Sequence, residues 1–311
     1  MLNGLASVAV IFLIFAVGFY LTYRRVWPDN ATTTLSTLVV TFAAPALAIV
    51  SIADRFKPEM IRESLLLLII SLIHVALLYV SGKLLSRVLR LSSGRKTIFQ
   101  VTFTFSNVIF IGLPINEIVF GHDGLPTLFT YYIITLILFW SLGAFEIANA
   151  SPNHETGISV KKIFSPGLIG VIIGAIIAEL ELPIPMIFDT ALRYVSSLCV
   201  PLSLLVIGAN LVVLTKIGLQ KPALDEVVIM LGKFLISPIF MFILLKLFHV
   251  DGMPFAVLML TSTMPCHMQT SILAQYYNVE SEYASKLVGM STLICLVTIP
   301  AYVTLIGYLQ V

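Results

Sequence analysis

Long apolar runs separated by short polar breaks fill the sequence from end to end. A hydrocarbon core about 30 Å thick takes about 20 helical residues per crossing, so apolar runs bounded by charge, Pro and Gly predict membrane-spanning helices. Ten spans are predicted, at 3–23, 34–53, 64–85, 97–121 and 125–148, and then at 164–182, 187–213, 225–248, 254–277 and 284–309. The pattern therefore predicts an all-α polytopic membrane protein.

One sizeable polar connection interrupts this pattern, at residues 149–163. It separates a first unit, residues 1–148, from a second unit, residues 164–311, and each unit has five predicted spans. Because five is odd, two such units that are repeats of each other are inserted in opposite orientations. No soluble domain is expected.

Prolines at matching positions suggest such a repeat, although Pro is tolerated in membrane helices generally. Pro45 in the second span aligns with Pro201 in the seventh, and Pro114 in the fourth span aligns with Pro265 in the ninth. Proline lacks a backbone donor and clashes with the carbonyl four residues earlier. We therefore predict two inverted five-helix repeats, with the fourth and ninth helices broken at Pro114 and Pro265 and crossing at mid-membrane.

Polar and small residues collect around both predicted breaks. They are Ser106, Asn107, Gly112 and Asn116 beside Pro114, and Thr263, Cys266, His267 and Gln269 beside Pro265. The N-terminus of a half-helix presents unpaired N–H groups and a partial positive charge, which suits a carboxylate. All ten residues are therefore candidate substrate-binding residues. The alternative is that the hydroxyls bond back to their own helices and Asn107 only joins two helices.

Ionisable residues inside predicted spans are costly, which makes them candidates for coupling transport to ion movement. His267 follows the break in the ninth span, where an imidazole can titrate near neutral pH. Glu117 lies one turn after the predicted break in the fourth span. Lys233 lies about two turns into the eighth span, where it either extends to the cytoplasmic surface or lies near a substrate path. Lys83 and Glu146 lie near span ends, and we interpret them as interfacial anchors.

Composition excludes several classes of function. The chain is 59% hydrophobic and 11% charged with a formal net charge of +2, which gives no basis for nucleic-acid binding. The three cysteines lie in apolar runs, so neither a disulfide nor a metal site is expected, and no cofactor is indicated. Metalloprotease, nucleotide-binding and serine-hydrolase motifs are absent from the sequence, so no enzymatic activity is predicted.

The positions of Lys and Arg predict the orientation, because positively charged short loops stay in the cytoplasm. If both termini lie outside the cell, the exterior receives only Arg55, Lys57, Arg62, Arg193 and Lys246 of the loop cations. We therefore expect a multi-pass plasma-membrane protein with both termini extracytoplasmic.

The sequence resembles the auxin efflux carrier family in four stretches. They are SNVIFIGLPINEIVFG in the fourth span, LLVIGANL after Pro201, KFLISP from Lys233, and STMPCHMQTSILAQYYNVESEYASKLVGMSTLICLVTIP across the last two spans. That family includes the plant PIN-formed carriers and bacterial permeases linked to malate and malonate. The resemblance covers nearly the whole chain. It implies a scaffold of spans 1, 2, 6 and 7, a moving transport unit of spans 3–5 and 8–10, and elevator-type alternating access.

The same resemblance implies roles for single residues. Asn107 matches the family's substrate-contacting Asn, while Pro114 and Pro265 match its crossover prolines. The short connection at 149–163 departs from the long regulated loop of the plant carriers. After Pro265, the Cys-His-Met-Gln sequence replaces the small residues expected in many relatives, so auxin need not be the substrate.

The function expected from these observations is secondary transport or uniport of a small organic anion, a mono- or dicarboxylate such as malate or malonate. Proton coupling or uniport is favoured over sodium, because the spans contain no clustered Asp pair. Two alternatives stay open: a membrane sensor that binds the same ligands without moving them, and an exporter of aromatic, auxin-like acids or amino acids. A homodimer through the scaffold helices is a further expectation.

Overall fold

The computed structural model of the chain describes residues 2–28, 30–55, 61–151, 166–217 and 221–309, and these parts are helical almost throughout. The helices of the first half are α1 (Leu2–Tyr23), α2 (Ala31–Leu38), α3 (Ala44–Arg55), α4 (Ile61–Val88), α5 (Ser93–Thr104), α6 (Leu113–Phe120), α7 (Leu125–Leu138) and α8 (Ala144–Asn149). Those of the second half are α9 (Pro166–Glu179), α10 (Met186–Ser197), α11 (Cys199–Ile217), α12 (Leu224–Leu231), α13 (Ser237–Leu247), α14 (Gly252–Ser262), α15 (Met268–Tyr276) and α16 (Ser281–Leu309). Most of the predicted connection, from residue 152 onward, lies outside the described residues.

Six helical stretches of the described chain are long and apolar enough to cross a membrane. They are Ala31–Asp54, Leu65–Val88, His122–Asn149, Met186–Val212, Leu224–Leu247 and Ser281–Tyr308. Four shorter apolar helices accompany them, at Val10–Tyr23, Val108–Phe120, Pro166–Glu179 and Gly252–Ser262. The all-α membrane class is therefore confirmed, while the count of ten spans in two inverted repeats stays a prediction.

Wide π-helical turns occur in four of these stretches, at Val39–Ala43, Val108–Gly112, Phe139–Gly143 and Gly232–Ile236. A π-helical turn inserts one extra residue, which rotates the side chains beyond it and is frequent at functional sites. The turn Gly232–Ile236 carries Lys233, and the turn Val108–Gly112 directly follows Asn107. The turn Gly232–Ile236 therefore contributes to the position of Lys233, which is buried.

Two helix pairs approach each other closely, α1 with α11 and α3 with α9. A Cβ atom added to Gly208 would lie 2.1 Å from the carbonyl oxygen of Phe15, and one added to Gly18 would lie 2.2 Å from that of Leu205. A Cβ on Gly170 would lie 2.6 Å from the carbonyl oxygen of Pro45. Small residues allow this close backbone contact. In lipid there is no hydrophobic driving force between helices, so van der Waals packing of this kind stabilises their association.

Polar and charged side chains connect the N-terminal ends of α5, α12 and α16. Arg95 donates two hydrogen bonds to the Asp225 carboxylate, at 2.7 and 3.1 Å, and the Tyr283 hydroxyl donates to the same group at 2.6 Å. Lys286 donates to Glu226 at 2.8 Å. These contacts hold one end of this helix group together.

Lys83 and Glu146, interpreted from sequence as interfacial anchors, form an ion pair. The Lys83 Nζ atom lies 3.2 Å from Glu146 Oε1, and the Tyr79 hydroxyl donates to the same carboxylate. The ion pair joins the last turns of α4 to α8.

A buried histidine links three further helices. His74, which is fully buried on α4, lies 3.1 Å from the Tyr131 hydroxyl on α7 and 3.0 Å from the Ser237 carbonyl oxygen on α13. The Ser237 hydroxyl in turn donates to the carbonyl of Ser262, the last residue of α14. This network fixes the end of α14, beyond which the chain leaves the helix.

Candidate functional site

Two interrupted helices meet at an antiparallel pairing of their non-helical residues. The chain leaves α5 after Thr104 and becomes helical again at Val108, and it leaves α14 after Ser262 and resumes at Met268. Ser106 lies opposite Cys266 in an isolated antiparallel bridge. The Asn107 N–H donates to the Pro265 carbonyl at 2.8 Å, and the His267 N–H donates to the Phe105 carbonyl at 3.1 Å. The backbone groups left free at one break therefore form hydrogen bonds with those at the other. Such bonds are needed because the hydrocarbon core offers no water as a partner.

The predicted break at Pro114 is wrong, whereas the interruption around Pro265 lies where it was predicted. Residues 108–120 are helical without a gap, because the π-helical turn Val108–Gly112 leads directly into α6. In that turn the Gly112 N–H bonds the Asn107 carbonyl at 3.0 Å, five residues earlier. The widened hydrogen-bond pattern before Pro114 makes room for a residue without an N–H group. The helix N-terminus that faces the pairing is thus at Asn107.

Asn107 caps this helix and keeps one polar atom unused. Its side-chain Oδ1 accepts a hydrogen bond from the Phe110 N–H at 3.3 Å, while Nδ2 is buried without a hydrogen-bond partner. The residue is only 2% exposed. A buried donor without an acceptor costs about 1–3 kcal/mol, so Nδ2 is an atom that a bound ligand can satisfy.

His267 occupies the equivalent position at the start of α15. Its Nδ1 accepts from the Gln269 N–H at 3.1 Å, and its ring stacks on Phe139 with the centroids 4.3 Å apart. Both helices that leave the pairing therefore begin with a side-chain cap. Since Nδ1 is engaged as an acceptor, Nε2 is the nitrogen of His267 that remains for another contact.

A cavity of about 110 Å³ lies beside the pairing. Four of the predicted binding residues line it: Ser106, Asn107, His267 and Gln269. Aromatic side chains that sequence reasoning did not single out, Tyr132 and Trp140, form part of its wall. The small cavity therefore combines polar groups from both interrupted helices with an aromatic wall.

A second, larger cavity of about 500 Å³ adjoins the small one. Val40, Phe110 and Gln269 line both cavities. The larger cavity is lined by uncharged hydroxyl and amide side chains, mainly Thr32, Thr33, Ser36, Thr37, Thr41, Asn210, Ser271, Ser285 and Thr292, together with apolar residues. The hydroxyl face of α2 repeats every four residues in TTTLSTLVVT, a signal that sequence reasoning missed.

Lys233 lies behind the pairing, fully buried at 0% exposure. Its Nζ donates to the Ser106 Oγ at 3.1 Å. Among the described residues, no carboxylate lies within 4.0 Å of this ammonium group. Of the two interpretations from sequence, extension to the cytoplasmic surface is therefore wrong, and the ammonium group lies next to a residue of the small cavity.

The other predicted binding residues do not line the small cavity. Asn116 donates to the Gly112 carbonyl at 2.7 Å and to the Thr261 hydroxyl at 3.3 Å, which joins α6 to α14. Thr263 bonds back to the Leu260 carbonyl at 2.7 Å. Cys266 donates its N–H to the Ser291 hydroxyl at 3.1 Å. Asn116 and Cys266 therefore connect neighbouring helices, and Thr263 bonds within its own turn.

Gly112 and Glu117 also lie outside the small cavity. A Cβ on Gly112 would lie 3.3 Å from the Met264 side chain, so only a small residue fits there without displacement. Glu117 lies ten residues beyond Asn107 on the same helical stretch, with its Oε1 3.7 Å from His122 Nε2. Within the described residues, no group of three or more His, Cys, Asp and Glu side chains is placed to hold a metal ion.

Comparison with known proteins identifies the chain with a family of membrane transporters. The profile of the family described as "Membrane transport protein" matches residues 4–303. An uncharacterized transporter of Methanothermobacter thermautotrophicus is 26% identical over 296 residues, which cover 95% of this chain and 96% of the relative. An uncharacterized transporter of Methanocaldococcus jannaschii is 21% identical over 296 residues, covering 94% and 95%. The chain therefore belongs to the membrane transport protein family, the auxin efflux carrier-like family of transporters.

Proposed function

We propose that this protein is a secondary transporter or uniporter of small organic anions, a mono- or dicarboxylate such as malate or malonate, bound where residues 105–107 and 265–267 pair. The observation that carries the proposal is the buried, unpartnered Nδ2 of Asn107 at the wall of the small cavity. This N–H₂ group lacks an acceptor, and a carboxylate oxygen is a strong acceptor.

The charge around the cavity supports an anion. Lys233 has no carboxylate partner among the described residues, and a buried charge is costly unless it is paired. The Ser106 Oγ accepts from Lys233, which leaves the Ser106 hydroxyl hydrogen free to donate toward the cavity. Two donors, Asn107 Nδ2 and Ser106 O–H, can then converge on one carboxylate, with the ammonium group behind them.

The size of the cavity supports a small acid. The cavity beside the pairing has a volume of about 110 Å³, against about 500 Å³ for the adjoining one. A three- or four-carbon dicarboxylate suits this space better than an indole-bearing acid does. The larger cavity is then a vestibule through which the substrate reaches the site.

The arrangement of the helices supports alternating access of the elevator type as part of the proposal. The two closest helix pairs, α1 with α11 and α3 with α9, involve the first, second, sixth and seventh predicted spans, which we assign to the scaffold. Interchange of the two halves converts one pair into the other, which supports an inverted repeat. The vestibule lies between this scaffold, at α2 and α11, and the proposed moving unit, at α15 and α16.

We place the protein in the plasma membrane. The distribution of Lys and Arg favours both termini outside the cytoplasm. A homodimer through the scaffold helices stays a prediction. Proton coupling is preferred to sodium, with His267, Glu117 and Lys233 as the coupling candidates. Of these three, His267 lines the small cavity and Lys233 lies behind Ser106, whereas Glu117 lies outside it.

Replacing Asn107 with Ala tests the proposal. The change removes one donor to a charged acceptor, so the Kd for malonate or malate should rise at least about tenfold in detergent-purified protein. Asn149→Ala, an exposed Asn at the end of α8, is the matched control and should bind as the wild type does. Unchanged affinity of a monodisperse Asn107→Ala variant would remove Asn107 from the site.

Counterflow of labelled malonate in proteoliposomes separates a carrier from a sensor. A carrier exchanges internal unlabelled malonate for external label, whereas a sensor binds malonate and shows no exchange. Binding without counterflow would therefore replace the transport proposal with the sensor alternative.

A further inference from the structure

A second buried polar group that no protein atom satisfies lies at the other end of the helical stretch that Asn107 begins. Glu117 is on α6, and its side chain is 18% exposed. Its Oε2 is buried without a hydrogen-bond partner, and its Oε1 lies 3.7 Å from Nε2 of His122. The His122 side chain is 51% exposed and lies in the short turn between α6 and α7.

Three features of this position oppose a negative charge on Glu117. The carboxyl group is largely removed from water, which penalises its charged form. No donor satisfies Oε2, whereas a carboxylate needs donors more than a neutral acid does. The group also lies in the last turn of α6, where the helix dipole repels an anion.

One feature favours the charge, the imidazole of His122. The described titratable side chains on elements that pack against α6 are Cys199 on α11, His122 and Asp123 in the turn after α6, Tyr131 and Tyr132 on α7, and Tyr20 and Tyr23 on α1. Cys199 is buried close to Glu117. Among these groups only His122 can become cationic. Glu117 is therefore either a neutral acid or an anion paired with protonated His122.

Glu117 and His122 lie where the proposed moving unit contacts the scaffold. The helix α6 packs against α1 and α11, the two helices of one close scaffold pair. Glu117 thus belongs to the proposed moving unit but lies at its boundary with the scaffold. A charged carboxylate resists sliding along the apolar surface of a neighbouring helix, and a neutral acid does not.

We propose that Glu117 and His122 form a proton-binding site that couples substrate movement to the proton gradient, an inference that rests on the proposed transport function. The carboxylate of Glu117 binds one proton from the water at His122 and becomes a neutral acid. The proton is released to water on the other side after the helix has moved. Asn107 and Glu117 lie on one continuous helical stretch, so the proton and the substrate anion travel together, and the proton offsets one negative charge of the substrate.

Two measurements on labelled malonate in proteoliposomes test this site: uptake driven by a proton gradient, and counterflow without a gradient. With an inward proton gradient, the wild type should take up malonate several-fold faster than without one. Glu117→Gln mimics the permanently protonated acid, so it should lose that acceleration while it keeps malonate counterflow. Glu146→Gln, a change in a carboxyl that is paired with Lys83, is the matched control and should still respond to the gradient.

The outcomes distinguish the two proposals. No malonate counterflow by the wild type would overturn the proposed function and this inference together. Wild-type coupling with equal gradient acceleration in Glu117→Gln would overturn the proton site alone. If Glu117→Gln also loses counterflow, Glu117→Asp decides: recovery of gradient-driven uptake supports the site, and no recovery shows a purely structural residue.

His122 provides an independent measurement. Without the cation, the charged form of Glu117 loses its one favourable partner, so protonation becomes easier. The pH at which gradient-free malonate uptake is half-maximal should therefore move upward in His122→Gln. A midpoint that does not move, or moves downward, would exclude His122 from the site.

Discussion

Replacing Lys233 with Met removes the ammonium group and keeps most of the side-chain volume. In the wild type, Lys233 Nζ is 3.1 Å from Ser106 Oγ. A ligand oxygen that accepts from the Ser106 hydroxyl lies about 2.7 Å further on, so the two charges are separated by roughly 6 Å. At an effective dielectric constant of about 20, this separation corresponds to about 3 kcal/mol. The Kd for malonate should therefore rise by about 100-fold.

The stability of the ligand-free variant separates an electrostatic effect from loss of structure. Lys233 is fully buried without a carboxylate partner in the described chain, so an apolar replacement removes a desolvation cost. The Tm of ligand-free Lys233→Met should be equal to or above that of the wild type, while the increase in Tm on adding malonate should be lost.

Isothermal titration calorimetry at fixed ionic strength measures the affinity. Lys246→Met is the matched control, because that lysine is about half exposed and pairs with the exposed Asp251 at 3.1 Å. It should bind malonate as the wild type does. A change of less than about threefold in the Kd of folded Lys233→Met would refute the electrostatic role of Lys233, as would an equal change in Lys246→Met.

Two further predictions follow from the packing and the cavities. Gly208→Ala places a Cβ 2.1 Å from the Phe15 carbonyl oxygen, so it should destabilise the protein by about 1–3 kcal/mol in thermal unfolding, whereas Gly307→Ala, where no atom lies within 4 Å, should be neutral. A neutral Gly208→Ala would contradict the close contact of α1 with α11. Phe110→Ala removes a side chain that lines both cavities and should allow an aromatic acid such as phenylacetate to compete with malonate uptake, while wild-type uptake resists it. Equal competition in both proteins would rule out Phe110 as a size barrier.

The helices were largely predictable because their apolar runs are long and their boundaries are marked by charge, Pro and Gly. The concentration of polar residues near 107 and 265 also identified the two interrupted stretches. The precise break in the first of them was not predictable from Pro114. A proline breaks a regular α-helix, but the π-helical turn before it has a different hydrogen-bond pattern, and no local sequence rule specified that turn.

The residues of the candidate site were likewise only partly predictable from the sequence. Asn107 and His267 could be identified because polar side chains next to a helix break in a membrane must find partners. Asn116 and Thr263 were grouped with them by proximity in sequence, yet Asn116 bonds Thr261 of α14 and Thr263 bonds back to the Leu260 carbonyl. Residues four apart share a helix face and residues two apart do not, so closeness in sequence alone selected too many residues.

The amino-acid sequence by itself determined the membrane environment, the helical class, the family and the two stretches where the helices are interrupted. These properties follow from hydrophobicity and local backbone chemistry. Only the tertiary structure decided that the break lies at residues 105–107, since their free backbone groups find partners on residues 265–267, far along the chain. It also decided that Lys233 is buried beside Ser106, because a long side chain can reach the surface or the interior, and the packing of neighbouring helices selects between them.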